Sequence, residues 1–195
     1  MRAKGLGASV IVTEVDPIKA IEAKMDGYEV MPMVEAVKVA DIIITVTGCK
    51  DIIREEHIAV MKDGCIMGNV GHFDNEINKV ALDEMSASKV RVRDFIDEYK
   101  MKDGRSLYLI AEGRLMNLAA GQGHPAEIMD MSFSTQALGI VHMTRHYQEM
   151  ENQVYAVPNE IDMEIANIKL RSMGVSIDTL TDAQIKYVTG WEEGT

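Results

Sequence analysis

Apolar residues in the first 110 positions fall into short runs separated by amphipathic stretches. This is the pattern of strands alternating with helices in a sheet covered on both faces. The runs Ser9 to Thr13, Glu29 to Met31, Ile42 to Val46, Cys65 to Val70, Val90 to Arg93 and Leu107 to Ile110 read as strands. Between them, Pro17 to Asp26, Met33 to Ala40, Ile52 to Met61 and Asp74 to Met85 read as helices, the first opened by a proline that suits the initial helical turn. Lys102-Asp103-Gly104-Arg105 has hairpin-turn chemistry and predicts an antiparallel pair at the far edge of the sheet.

The character changes at His124-Pro125. Ala126 to Gln148 reads as one long helix, Val154 to Val157 as a short strand-like piece before Pro158, and the stretch through Ile161, Ile165, Ile168 and Leu170 as a helix stopped at Gly174. Thr181 is a natural N-cap for a last helix reaching Val188, after which the chain runs through Trp191 to Thr195.

Composition narrows the function classes. A chain of 195 residues can bury a real core, and its 47% apolar and 26% charged residues are those of a globular protein. No run approaches the roughly 18 to 20 apolar residues of a membrane span. The net charge of -11 argues against nucleic acid or an anionic membrane as partner. Arg2 and Lys4 are not followed by the apolar region of a signal peptide, so the expected location is the cytoplasm. Cys49 and Cys65, both at apolar strand ends, then read as reduced, buried thiols, and the fifteen methionines as core filler.

The candidate chemistry lies at strand ends. Glu14 closes the run from Val10, where an acid accepts hydrogen bonds from both ribose hydroxyls of an adenosine and repels a 2'-phosphate; this selects NAD over NADP. A surface acid at a strand end would look the same. A Gly-x-Gly-x-x-Gly turn should stand about 20 residues before such an acid, which falls before Met1. Met1 to Gly7 therefore reads as the last turn of a phosphate-binding helix with a glycine stop. The expected class is α/β: a Rossmann-type doubly wound parallel sheet lacking its first strand and glycine-rich turn, followed by a helical carboxyl-terminal extension.

Thr47-Gly48-Cys49 ends another strand where a dinucleotide would lie, although a plain strand-to-helix turn predicts the same glycine. Val70-Gly71-His72 follows the strand ending at Asn69 and brings a side-chain-free backbone and an imidazole to the same edge, with His72 the candidate acid or base. Asn117 offers a donor and acceptors to a nicotinamide carboxamide. His142 and His146 have zinc-pair spacing but no third ligand, so an exposed helical face is expected and no metal.

Two segments, Gly68-Asn69-Val70-Gly71-His72-Phe73-Asp74-Asn75-Glu76-Ile77 and Ala111-Glu112-Gly113-Arg114-Leu115-Met116-Asn117-Leu118-Ala119-Ala120-Gly121-Gln122-Gly123-His124-Pro125, together with Thr13 to Pro17 and Val46 to Cys49, resemble S-adenosylhomocysteine hydrolase in the same order. The resemblance runs from Met1 to about Thr195. It implies tightly bound NAD, which oxidises the 3'-hydroxyl of the substrate ribose, acidifies the C4' hydrogen, allows homocysteine to be eliminated, and returns its hydride after water adds. It implies that Glu14, Thr47, Gly48, Val70, Gly71, His72, Asn117 and His124 contact cofactor, with His124 also touching the substrate adenine.

The resemblance further implies a homo-oligomer acting on S-adenosylhomocysteine, adenosine and homocysteine. It divides the chain into an NAD-binding domain at 1–124, a hinge and helix at 125–157 and a helical subunit-contact segment at 158–195. The acid/base carboxylates and lysine belong to an amino-terminal substrate domain in that family, so this chain reads as the carboxyl-terminal half. Alone, it is expected neither to hydrolyse substrate nor to hold NAD tightly. Two departures stand out: Lys19 replaces a frequent Asn near the ribose, and the end at Thr195 lacks a Lys- and Tyr-containing tail. The alternatives are an S-inosylhomocysteine hydrolase, a 2-hydroxyacid dehydrogenase and a non-catalytic interaction fragment. Met61 to Gly71 suits the dehydrogenase, but no arginine follows the Asn69 strand end to hold a substrate carboxylate.

Overall fold

A computed structural model describes residues 1–191. The chain forms two compact units, Met1–Gly123 and His124–Thr195. Residues 192–195, where the tail was read, lie outside the described residues.

The first unit holds two sheets. In the smaller, β1 (Ile11–Val12) pairs in parallel with β2 (Glu29–Val30). The larger contains β3 (Ile42–Thr45), β4 (Ile66–Asn69), β5 (Ser86–Arg93), β6 (Ile96–Met101) and β7 (Ser106–Ile110), in the order β3-β4-β7-β6-β5. β3, β4 and β7 run parallel, while β6 is antiparallel to both β7 and β5. The sheet is therefore mixed: its core is parallel, and its far edge carries the antiparallel pairing that the Lys102–Arg105 turn predicted. Among the described residues no ladder joins the two sheets, and β1 and β3 each pair along one side only.

The helices follow the local chemistry. α1 (Arg2–Gly5) is one turn; α2 (Pro17–Met25) starts where Asp16 accepts from the backbone N–H of Ile18 and Lys19. α3 (Met33–Val39) follows Pro32. The helix expected over Ile52 to Met61 shrinks to α4 (Glu55–Ile58), because Ile52 and Ile53 donate to the Glu76 carbonyl and Ile53 bridges Ile77 instead. For the same reason α5 (Lys79–Met85) starts at the Asn78 cap rather than at Asp74. Val37, Ile53, Ile58, Met67, Ile77, Leu82, Tyr99, Leu107 and Leu109 form the core, all essentially without solvent contact.

β6 was not read from the sequence. Its inward positions are Asp97, Tyr99 and Met101, and Asp97 is buried against the guanidinium of Arg91 at 2.7 Å, so one core position carries a charge. The Lys102–Arg105 turn joins β6 to β7 as a hairpin. Of the two cysteines, both free, Cys65 is buried, and burial pushes its thiol up to about 11; Cys49 is exposed, contrary to expectation, because it follows the Gly48 turn out of the sheet.

α6 (Met116–Ala119) ends the first unit. The second contains α7 (Ala126–His146), α8 (Asn159–Ser172) and α9 (Asp182–Thr189). Lys169 pairs with Asp130 at 2.8 Å and ties α8 to α7. The side chain of Thr181 caps α9 by accepting from Gln184 N–H. Val154 to Val157 is not a strand: among the described residues it has no partner strand, and Val154 lies fully in solvent. Among the described residues no helix is long and apolar enough to cross a membrane.

Candidate functional site

The parallel register sets the site. Thr45 on β3 stands level with Asn69 on β4, so the two strands end together at their carboxyl ends. In an open α/β sheet that edge is where ligands bind. Asn69 also bridges Leu115, which brings the start of α6, and Asn117 on it, to the same edge.

Asn69 is buried and its amide is used in full. Its Oδ1 accepts from Gly71 N–H at 2.7 Å and Thr45 Oγ1 at 3.2 Å. Its Nδ2 donates to the carbonyls of Phe73 at 2.7 Å, Gly113 at 2.9 Å and Gly71 at 3.3 Å. One side chain thus fixes the end of β3, the Val70–Phe73 loop and the bend after β7. That bend is unusual: Ala111, Glu112 and Gly113 all have positive φ (51°, 58° and 78°). For Ala and Glu this costs energy that the surrounding contacts must offset, Arg91 to Glu112 at 2.7 Å among them.

Glu76 was not singled out in the sequence, yet it is fully buried at the centre of this edge. Its Oε2 accepts from Thr47 N–H at 3.1 Å and Thr47 Oγ1 at 3.0 Å, and its Oε1 from Gly48 N–H at 2.6 Å. An acid at the expected start of a helix normally faces solvent. The sequence carried no signal that this one turns inward.

Of the residues expected at the site, the structure gathers Thr47, Gly48, Val70, Gly71, His72 and Asn117 around the ends of β3 and β4. Gly48 has φ +70° and open space where a side chain would stand. His72 is exposed, with its ring edge-on to Phe73 at 4.4 Å. Asn117 Oδ1 is buried and, among the described residues, has no hydrogen-bond partner. Glu14 lies apart from these, just past β1 on the smaller sheet, with its Oε1 accepting from Asp16 N–H at 3.0 Å and Val15 N–H at 2.7 Å. Those two backbone donors hold its carboxyl below the usual range and keep it an anion. His124 belongs to the second unit and is exposed. There too, the rings of His142 and His146 lie 4.5 Å apart on α7.

Residues 1–123 match the family model described as S-adenosyl-L-homocysteine hydrolase, NAD binding domain. The chain belongs to the S-adenosyl-L-homocysteine hydrolase family. Over its whole length it is 57% identical to the adenosylhomocysteinase of Aquifex aeolicus and 55% identical to that of Pyrococcus abyssi, in each case covering 46% of the relative. It is 53% identical to the S-inosyl-L-homocysteine hydrolase of Methanocaldococcus jannaschii, again over its whole length and 47% of the relative. The chain spans about half the length of the curated relatives it matches.

NAD is the cofactor of the matched domain. The residues present suit it. A nicotinamide carboxamide needs an acceptor for its N–H groups, and the orphaned Asn117 Oδ1 is a buried acceptor without a protein donor. Nothing stands within 4 Å of where a Cβ on Gly48 would be, so its backbone is open to close approach.

Proposed function

We propose that this chain is the carboxyl-terminal half of an NAD-dependent enzyme that cleaves S-adenosyl-L-homocysteine into adenosine and L-homocysteine. The observation that carries the reading is its 57% identity, over its whole length, to an adenosylhomocysteinase. When bound, NAD supplies reversible removal of hydride from the substrate ribose, which turns a poor thioether leaving group into one that can be eliminated.

The chain's own residues hold and orient. Glu14, kept anionic by its backbone donors, receives the adenosine ribose hydroxyls of the cofactor and disfavours a 2'-phosphate. Thr47, Gly48, Val70 and Gly71 form the floor against which the cofactor lies. Asn117 receives the carboxamide and fixes which ring face meets the substrate. His72, exposed at the β4 end, holds or moves a proton at the ribose 3'-oxygen. By the family resemblance, His124 is a further candidate for contact with the cofactor.

The unpaired sides of β1 and β3, with Ile42, Ile44 and Val46 half or more exposed, suit a further strand and helix of the same cofactor domain. In the second unit, exposed Phe133, Ile140, Ile177, Leu180 and Tyr187 suit contacts in a homo-oligomer. A second reading replaces adenine by hypoxanthine, supported by the 53% identity to an S-inosyl-L-homocysteine hydrolase.

The test is titration and turnover of the complete enzyme with NAD and NADP and with both thioethers. Hydrolysis of the adenosyl compound, NAD binding that is weakened roughly tenfold or more by Glu14→Ala, and improved relative binding of NADP are expected. Preference for the inosyl compound selects the second reading, and hydrolysis of neither refutes both.

A further inference from the structure

We propose that Glu76 is a positioning residue for the cofactor: its buried carboxylate clamps the Thr47–Gly48 turn to the Gly71 loop and so sets the floor on which NAD lies. The proposal rests on reading this edge as the cofactor site.

Glu76 has no solvent contact, and a buried carboxylate persists only where donors satisfy it. All three of its side-chain donors come from two consecutive residues, Thr47 and Gly48. The Thr47 hydroxyl donates to Glu76 and accepts from Cys49 N–H at 3.0 Å, so the turn is held on both sides of the hydroxyl. The Glu76 main chain is anchored as well, its carbonyl accepting from Ile52 N–H at 2.7 Å and Ile53 N–H at 3.0 Å. A shift of the carboxylate would break its bond to the N–H of Gly48, a residue with φ +70°.

The other jaw of the clamp is Gly71. Its φ is not positive, so no backbone requirement calls for glycine there. A Cβ on Gly71 would instead fall inside the volume of Glu76 Oε1. Gly71 N–H is held at the same time by Asn69 Oδ1. Two loops that both face the cofactor are thus shaped around one carboxylate, and a floor held in its bound shape spares the cofactor the cost of ordering it.

The test is Glu76→Gln in the complete enzyme, which keeps the volume but leaves one acceptor where there were two. Amide exchange at Thr47 and Gly48 in the NAD-free protein should speed up roughly tenfold or more, and the Kd for NAD should rise by a similar factor. Gly71→Ala, which displaces the carboxylate without removing it, should raise the Kd in the same way and covers the case in which E76Q does not fold. In a Glu76→Ala background, Gly71→Ala should cost less than it does in the wild type, because its methyl no longer meets the carboxylate and is left only with Asn69 Oδ1 at 3.0 Å. Folded E76Q or G71A protein with an unchanged Kd for NAD overturns the proposal. Wild-type enzyme that binds no NAD overturns instead the reading of the edge as a cofactor site, and the proposal with it.

Discussion

Asn69 Nδ2 donates to the carbonyl of Gly113 at 2.9 Å, and this bond joins the end of β4 to the left-handed bend that delivers Asn117. The same nitrogen faces the carbonyls of Gly71 and Phe73.

Asn69→Asp should therefore be disruptive although it changes one atom. The new carboxylate oxygen would face three carbonyl oxygens in a buried place, with no donor to meet it. The expected loss is about 3 kcal/mol or more of folding stability, measured by urea denaturation. A loss below about 1 kcal/mol would mean that the network is not as tight as its distances indicate.

Asn117 should behave in the opposite sense. Its Oδ1 has no partner among the described residues, so Asn117→Leu removes a desolvated polar atom without breaking a bond. Stability of the NAD-free protein should hold or rise, while NAD affinity falls roughly tenfold or more. Calorimetric titration beside a thermal melt separates the two effects. Equal NAD binding by the variant would remove Asn117 from the cofactor site.

His57 gives a pH dependence. It is 5% exposed, its Nδ1 accepts from Arg54 N–H at 3.1 Å, and burial pushes its pKa below the ordinary 6.5. The folded state thus favours neutral imidazole more than the unfolded state does. Its contribution is present above pH 6.5 and is lost as pH falls below that value through the lowered pKa. Thermal midpoints should drop more steeply as pH falls below 6.5 for the wild type than for His57→Gln. Parallel curves would contradict this.

The sequence carried the strand-helix alternation and the loops at the strand ends because both are local properties: hydrophobic period, caps and turn glycines. What it did not carry depends on distant partners. β6 was hidden because Asp97 fills an inward position, which Arg91 at 2.7 Å and Lys89 at 3.7 Å make tolerable. α4 and α5 came out shorter than their apolar periodicity because Ile53, Ile77 and Glu76 bond to one another across more than 20 residues. Glu76 itself was invisible for that reason. Gly71 looked like space cleared for a ligand, whereas the room beside it is filled by the Glu76 carboxylate.

The most direct test of the account is single-turnover reduction of the bound nicotinamide, followed by its ultraviolet absorbance when adenosine or inosine is added to the complete NAD-loaded enzyme. The account predicts prompt reduction by at least one of the two nucleosides, slowed roughly 10²- to 10⁴-fold by His72→Asn at nearly unchanged NAD occupancy. No reduction by either nucleoside in NAD-loaded wild-type enzyme would contradict it.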